Sequence, residues 1–167
     1  GYQKGTGESV WDIKKNIGYF YPAMTLLFPR NDTVENMIIS GLVDSIGLYT
    51  KPTELQQMTA QAWLHILGAD YHNKRFNDLS PGQQRIILVV RAIVKFPPLL
   101  ILDEPTVGLD DENTDLFVEL INRLINWQQL AIIYVSHRME EKLQPQKILE
   151  LIPSHHGSGS KIITTNR

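Results

Sequence analysis

The sequence of 167 residues contains no cysteine. This absence excludes disulfide bonds, catalytic thiols and metal sites built on cysteine. It is compatible with a reducing compartment, and we therefore expect an intracellular setting rather than a secreted one.

An excess of basic residues is also missing. There are 16 Lys and Arg residues against 18 Asp and Glu residues, which gives a formal net charge of -2. Direct nucleic-acid binding is therefore not predicted, and neither is capture by an anionic membrane surface, because both need a basic field. Any polyanion that binds this chain has to be held by local groups.

Long hydrophobic runs are absent as well. The longest, "IILVVRAIV" at 86–94, is interrupted by Arg91 and is much shorter than the ~20 residues that cross a bilayer. The opening "GYQKGTGES" has no apolar block of the kind found in secretion signals. We therefore predict no membrane span, and with 43% hydrophobic residues the chain can bury the core of one domain.

From residue 79 onward, short apolar runs alternate with helical segments. A capped helix is followed by "LLIL" (99–102), an amphipathic helix near 114–126 and "AIIYV" (131–135), and a Gly/Ser turn with one last strand completes the chain. Such alternation is typical of βαβ units around a buried parallel sheet. We therefore predict an α/β fold.

The part of the chain before residue 79 is predicted to be mostly helical. Apolar residues at helical spacing indicate helices over 31–47 and 53–68, with Thr33 and Thr53 as their caps. The opening segment 8–22 is different, because its β-formers and alternating pattern predict one or two strands that lead into a loop.

The segment "LSPGQQR" (79–85) has the features of a helix start. Ser80 can cap the helix, Pro81 suits its first position, and Gln83 completes a capping box. Gly82 lowers helix stability, but it lets a ligand approach the backbone at an end that favours anions. A phosphate-binding helix start is one hypothesis, and a well-capped core helix is the alternative.

Acidic and histidine side chains follow the two apolar runs. In "LLILDEP", Asp103 and Glu104 come at the carboxyl end of a strand, where open α/β sheets bind ligands. Asp103 can hold Mg²⁺ on nucleotide phosphates, and Glu104 can orient or deprotonate a water. His137 follows the next strand and can hydrogen-bond a γ-phosphate. The alternatives are a solvated acidic turn and an ordinary turn histidine.

Taken together, "LSPGQQR", "LLILDEP", "GLD" and "VSHR" resemble the signature, Walker B, D-loop and switch-histidine motifs of ABC-type ATPases. "GESVWDIKKNIGYFYPAM" and "TVENMIISGLVDSIGLY" are similar to the second nucleotide-binding domain of the ModF-type molybdenum transport ATP-binding (photorepair) proteins, which carry two ABC domains in one chain. The resemblance runs over nearly the whole sequence. It implies a partial P-loop NTPase fold with a parallel sheet core and a helical signature subdomain.

The resemblance also implies a division of the chain into three parts. Residues from about 1 to 30 would contain core strands and the Q-loop region, those from about 31 to 96 the helical subdomain with the signature motif, and those from about 97 to 167 the Walker B, D-loop and switch-histidine part of the core.

The ligands that the resemblance implies are ATP and Mg²⁺. In this family two domains enclose two ATP molecules head to tail, so Ser80, Gly82 and Gln83 would contact the γ-phosphate of ATP held by the opposite domain. The remaining roles fall to Asp103 as the Mg²⁺ carboxylate, Glu104 as the catalytic base, Asp110 as the D-loop acid and His137 as the switch. A second ABC domain and a membrane transport subunit are the implied partners, and the cytoplasm, at the inner face of the membrane, is the implied location.

The sequence departs from the family pattern in three places. Pro81 replaces a signature glycine and removes a backbone donor. Pro22 replaces a glutamine that supplies a ligand to Mg²⁺ and the attacking water, in a loop that also contacts membrane partners. No G-x-x-x-x-G-K-[ST] phosphate cradle is present, since neither "GTGES" nor "HHGSGSK" matches it.

These departures leave two hypotheses open. The first is a carboxyl-terminal part of an ABC ATPase domain, inactive by itself and competent once joined to a Walker A strand and paired with another domain. The second is a non-hydrolytic regulatory or docking module that supplies only the signature segment to a partner ATPase. Glu104 and His137 favour the first, because a docking module needs no catalytic base. Pro81, Pro22 and the missing cradle favour the second for this chain as given.

Overall fold

The computed structural model describes residues 9–29, 31–126, 130–153 and 160–166. Within these ranges, helices α1 to α5 cover Val10–Lys15, Val34–Leu42, Glu54–Leu67, Pro81–Ile93 and Asp111–Ile125. Strands β1 to β5 cover Ile17–Phe20, Leu99–Asp103, Ala131–Val135, Lys147–Pro153 and Ser160–Asn166. Both apolar runs that the sequence marked as strands are strands.

The sheet that carries the candidate site is parallel, with the strand order β1-β2-β3. Its central strand β2 pairs Leu99 with Ile17 on one side and with Ala131 on the other. Leu100 and Leu102 are fully buried. Parallel strands bring their carboxyl ends to one edge, so β2 and β3 deliver the residues that follow them to the same place. The predicted α/β fold with a parallel sheet is confirmed. The predicted burial holds for the central strand but not for β3, whose residues are exposed or half-buried.

Helix α4 occupies the centre of the core. Apolar residues recur along one side of the helix, and all of them are buried: Ile86, Val89, Val90, Ile93 and Val94. Ile87 and Leu88 beside that stripe are fully buried as well. The helix packs against α2 and α5 and against β1. A helix that is apolar nearly all round has to be enclosed by other elements, and here the helical part of the chain encloses it on one side and the sheet on the other.

Helices α2 and α3 begin where their caps predict. Thr33 Oγ1 accepts a hydrogen bond from Asn36 N at 3.1 Å, and Thr53 forms a full capping box with Gln56. Arg91 of α4 ties this region to the core, because its guanidinium donates to Ser40 Oγ at 3.0 Å and to the Ser45 carbonyl at 2.8 Å. Desolvation by burial lowers the pKa of Arg91.

Three expectations about secondary structure need correction. The opening segment forms the short helix α1 before the single strand β1, although it is rich in β-formers; Lys14 and Lys15 in its last turn suit the negative end of a helix dipole. Helix α5 starts at Asp111, earlier than predicted, because Asp110 caps it. The single strand expected at the end is half of an antiparallel hairpin of β4 and β5.

No helix in the described ranges is both long enough and apolar enough to cross a membrane.

We predict that Gly41→Ala destabilises the fold. A Cβ at Gly41 would lie 2.3 Å from the backbone oxygen of Arg91 and 2.8 Å from Val94 Cγ1, so α2 and α4 would have to move apart. Overpacking of this kind costs about 1–3 kcal/mol of unfolding free energy, measurable by urea denaturation. Gln57→Ala on the exposed face of α3 is the control, with an effect within about 0.5 kcal/mol. Equal midpoints for the two variants would contradict the close packing.

Candidate functional site

Glu104 adopts an unusual backbone conformation at the carboxyl end of β2. Its φ is 47°, in the left-handed region, which costs a non-glycine residue free energy and tends to occur at functional positions. Its N–H donates to the Val135 carbonyl at 2.9 Å. This bond joins the ends of β2 and β3 and holds the Glu104 side chain at the edge where β3 ends.

The structure brings Glu104 and His137 together, as the pattern of two consecutive strands predicts. His137 Nε2 lies 3.2 Å from Glu104 Oε1. The histidine side chain is 92% exposed, whereas that of Glu104 is only 20% exposed. The turn that presents the histidine is closed by a hydrogen bond from Arg138 N to Ser136 Oγ at 3.0 Å.

The second carboxylate oxygen of Glu104 has no protein partner. Oε2 is buried, and nothing in the described part of the chain forms a hydrogen bond with it. A buried acceptor without a partner carries a desolvation cost, which a water molecule bound there would remove. A carboxylate that accepts from water and sits beside a histidine has the chemistry of a general base.

Asp103 is partly buried at the end of β2. Among the described residues, no group of three or more His, Cys, Asp or Glu side chains could hold a metal ion. Mg²⁺ in nucleotide sites is usually bound by one or two carboxylates together with phosphate oxygens and water. Asp103, which directly precedes Glu104 in the sequence, fits that use: it would hold Mg²⁺ on a nucleotide, and the ion would neutralise phosphate charge.

The amino-terminal end of α4 carries the predicted capping box. Ser80 Oγ accepts from Gln83 N at 3.2 Å, and Gln83 Oε1 accepts from Ser80 N at 3.0 Å. Gln84 N donates to the Ser80 carbonyl at 2.9 Å. Since Pro81 has no N–H, the first-turn donor left to face an anion is the N–H of Gly82.

Asn113 is a site residue that the sequence did not reveal. Its Oδ1 accepts a hydrogen bond from Ser80 Oγ at 3.3 Å, and its Nδ2 donates to Asp110 Oδ1 at 2.8 Å. The same Asp110 oxygen caps α5 by accepting from Asn113 N at 2.8 Å. A Cβ at Gly82 would lie 2.2 Å from Asn113 Oδ1, so close packing of Asn113 is itself a reason for glycine at this position. The only signal in the sequence was the spacing of an N-cap acid and a polar residue at the third helical position.

Arg85, the last residue of the signature segment, connects two parts of the fold. Its guanidinium donates to the carbonyls of Pro105 and Val107, at 2.5 Å and 2.6 Å. Burial lowers its pKa. Arg85 thus links α4 to the turn directly after Glu104. The sequence did contain a signal for this role. Arg85 is followed directly by a run of apolar residues, and a charge buried beside such a run needs partners.

A second polar contact holds the loop that follows His137. Thr106 is buried and its hydroxyl donates to Glu140 Oε1 at 2.5 Å, so the 3.4 Å contact with Tyr134 has the tyrosine as donor. Burial is the main cause that raises the pKa of Tyr134 to about 12, which keeps the phenol protonated at neutral pH. The turn after Glu104 and the loop after His137 are therefore connected.

The site residues form two groups. One consists of Asp103, Glu104 and His137 at the sheet edge, and the other of Ser80, Gly82, Gln83 and Asp110 at the starts of α4 and α5. No hydrogen bond or ion pair joins the groups directly in the described part of the chain, but Arg85 connects the two regions. The first group offers base chemistry and a place for Mg²⁺, and the second offers donors for an anion.

Comparison with known proteins agrees with this geometry. A family model described as ABC transporter matches residues 2–107. The chain is 46% identical, over 84% of its length, to the ABC transporter ATP-binding protein ModF of Escherichia coli (strain K12), and covers 29% of that protein. It is 33% identical, over 86% of its length, to the ABC transporter ATP-binding protein YlmA of Bacillus subtilis (strain 168), and covers 55% of that protein. The chain thus spans between about a third and about half of these relatives.

Solved structures show the same fold. The dimeric ATP-binding cassette MJ0796, in a post-hydrolysis state bound to ADP and Pi, superposes with a TM-score of 0.59 at 20% sequence identity. The match covers 79% of this chain and 58% of the cassette. It establishes the architecture of the sheet and its helices.

We predict that Arg85→Met lowers the free energy of unfolding by about 1–3 kcal/mol, because the Pro105 carbonyl loses its partner in a buried position and the Val107 carbonyl loses its partner as well. Arg85→Lys, which can reach one carbonyl, should lie between this variant and the wild type. Urea denaturation measures both. The control is Arg123→Met on the exposed face of α5, where loss of the surface pair with Glu119 costs at most about 1 kcal/mol. An equal loss in both Met variants would contradict the role of Arg85.

Proposed function

Because the chain belongs to the ABC transporter family of ATP-binding domains, we propose that it supplies the catalytic carboxylate and the signature segment of an ATP-hydrolysing pair of domains. The observation that carries this proposal is Glu104: a strained carboxylate at a sheet edge, 3.2 Å from His137, with one buried oxygen lacking a protein partner. A docking module would have no use for that arrangement.

Each residue at the sheet edge has a chemical task in this proposal. Glu104 accepts a proton from the attacking water, and His137 contacts the γ-phosphate or that water from the exposed side. Asp103 holds Mg²⁺, which when bound neutralises charge on the transferred phosphoryl group. The left-handed backbone at Glu104 and the bond from its N–H to Val135 orient the carboxylate before substrate arrives.

The residues at the start of α4 act on a second nucleotide. Ser80, the N–H of Gly82 and Gln83 would face the γ-phosphate of ATP held by another ABC domain, and Asp110 would contact that domain through the D-loop. The division of the chain into core, helical and Walker B parts, near residues 30 and 96, is part of the same proposal. It is supported by the helical character of α2, α3 and α4.

The phosphate cradle has to come from other residues. The sequence holds no G-x-x-x-x-G-K-[ST] segment, and without its N–H groups and lysine the β- and γ-phosphates are not gripped. Pro81 and Pro22 also stand where the family has a glycine and a glutamine. We therefore propose that hydrolysis requires a Walker A segment joined to this chain.

The proposal extends to the process and the location. We infer a cytoplasmic domain that energises transport together with a second ABC domain and a membrane transport subunit, and molybdate is the cargo that the family resemblance implies. The supports are the identity with the E. coli relative and the absence of cysteine. No described residue identifies the cargo.

We predict that the 167-residue chain alone does not bind Mg·ATP. Isothermal titration of Mg·ATP into the chain should give no saturable heat, because the cradle that grips the phosphates is missing from the sequence. The E. coli relative, titrated in parallel, is the positive control. Saturable micromolar binding by the chain would show that it holds phosphates in another way.

We predict that Glu104→Gln abolishes turnover in a complete domain. The chain would replace the matching segment of the E. coli relative, in a background where the other ABC domain of that protein is catalytically inactive. Mg·ATP hydrolysis should then fall at least about 100-fold in Glu104→Gln, the usual effect of losing a general base. Glu150→Gln, an exposed carboxylate on β4, is the matched control.

The two hypotheses give different results in this chimera. If the chain is part of an enzyme, the wild-type chimera turns over ATP and the Glu104 variant does not. If the chain is a docking module, no turnover occurs in the inactive background. Turnover that survives Glu104→Gln unaltered would show that Glu104 is not the base.

A further inference from the structure

We propose that Asn113 is a positioning residue that competes with a nucleotide phosphate for the Ser80 hydroxyl. The proposal rests on the proposed function, in which Ser80 faces a γ-phosphate, and adds a residue outside the family motifs. Ser80 Oγ donates to Asn113 Oδ1 at 3.3 Å, and Asn113 Nδ2 donates to Asp110 Oδ1 at 2.8 Å.

The competition follows from the hydrogen-bonding capacity of a hydroxyl. A serine hydroxyl has one proton to donate and two lone pairs that accept. One lone pair of Ser80 accepts from Gln83 N in the capping box, and the proton goes to Asn113. A phosphate oxygen is an acceptor, so it can accept a hydrogen bond from this hydroxyl only by replacing Asn113 Oδ1 as the acceptor.

Contacts with Asp110 and Gly82 hold Asn113 where it can compete for the Ser80 hydroxyl. Its amide is oriented by Asp110, which binds both the side-chain Nδ2 and the backbone N–H. Its Oδ1 packs so closely on Gly82 that a Cβ there would be 2.2 Å away. Asn113 is therefore held on the Ser80 side of α5 by two contacts that do not involve the Ser80 hydroxyl.

Release of the hydroxyl changes the hydrogen bonding of the Asn113 amide, which also binds the D-loop residue Asp110. When a phosphate oxygen accepts the hydrogen bond from the Ser80 hydroxyl, Asn113 Oδ1 loses its donor while Asn113 Nδ2 still donates to Asp110. Phosphate bound at the start of α4 thus changes the hydrogen bonding of one amide, that of Asn113, at the start of α5. Asn113 therefore links the signature segment to the D-loop within one chain. The motifs by themselves place these two segments at the ends of two separate helices.

The test compares two substitutions whose effects on nucleotide affinity differ in sign. It uses the chimera with the E. coli relative, carrying Glu104→Gln so that bound ATP is not consumed, and titrates Mg·ATP. Asn113→Ala removes the competing acceptor and should tighten binding by about 2- to 10-fold, the range of a net hydrogen bond. Asn113→Asp keeps the shape and supplies a charged acceptor, which binds a hydroxyl more strongly and repels phosphate, so binding should weaken by about the same factor.

A double-mutant cycle separates competition from a general structural effect. In Ser80→Ala the proton is gone, so adding Asn113→Ala should leave the affinity unchanged. Asn122→Ala, on the same helix away from Ser80, should not change it either. Weaker or equal binding in Asn113→Ala, or a shift that persists in the Ser80→Ala background, overturns the inference alone. A wild-type chimera that fails to bind Mg·ATP beside an active E. coli control overturns the proposed function and the inference with it.

A measurement on the chain itself tests the packing that the inference needs. Gly82→Ala should lower the urea midpoint, because the added Cβ would lie 2.2 Å from Asn113 Oδ1, 2.5 Å from its Cγ and 2.6 Å from its Cβ. In an Asn113→Gly background, where all three atoms are absent, the same Gly82→Ala change should lower the midpoint by less. An equal loss in both backgrounds would show that Asn113 is not held against Gly82, and would overturn the inference whatever the nucleotide affinity.

Discussion

Helix α4 is buried along nearly its whole circumference, so the elements that pack on it have to enclose it. Its apolar side chains, including the fully buried Ile87 and Leu88, meet the sheet, α2 and α5. The same helix begins with Ser80 and Gly82 and carries Arg85 in its second turn. Burial of the body of the helix therefore sets the position of its first turn.

Polar links cross this core at few points, and each connects a part of the site to another element. Arg85 spans from α4 to the turn after Glu104. Thr106 in that turn reaches Glu140 after His137. Asn113 joins the start of α5 to the start of α4. Because the groups are buried or partly buried, removing the partner of any of them destabilises the fold. Movement of one site segment therefore has to be matched by movement of the segment bonded to it.

The two proposed roles of the chain use different parts of the same α/β fold. The carboxylates and the histidine lie where β2 and β3 end, and they would act on nucleotide gripped by a cradle joined to this chain. The first turns of α4 and α5 would act on nucleotide held by another domain. The sheet edge needs a cradle joined to this chain, and the starts of α4 and α5 need another domain that holds nucleotide. The missing cradle therefore affects hydrolysis at the sheet edge but not the contact with the other domain's nucleotide.

Much of the site could be predicted from the sequence because the signals were local. Ser80, Pro81 and Gln83 form a capping box through contacts within one helical turn, and the apolar runs before Asp103 and His137 are strands that end at one edge. The signals for Asn113 and Arg85 were weaker, since their partners lie in other elements. Local spacing cannot tell which carbonyl or hydroxyl a side chain will meet.

Sequence alone determined the α/β class, the caps of α2, α3 and α4 and the order of the motifs, because these depend on periodicity and on hydrogen bonds between near neighbours. Three features were visible only in the folded chain: the helix at the start of the opening segment, the close approach of Asn113 to Gly82, and the left-handed backbone of Glu104. These features depend on packing between segments far apart in the chain, where the physical cause is the space and the polar partners that another element provides.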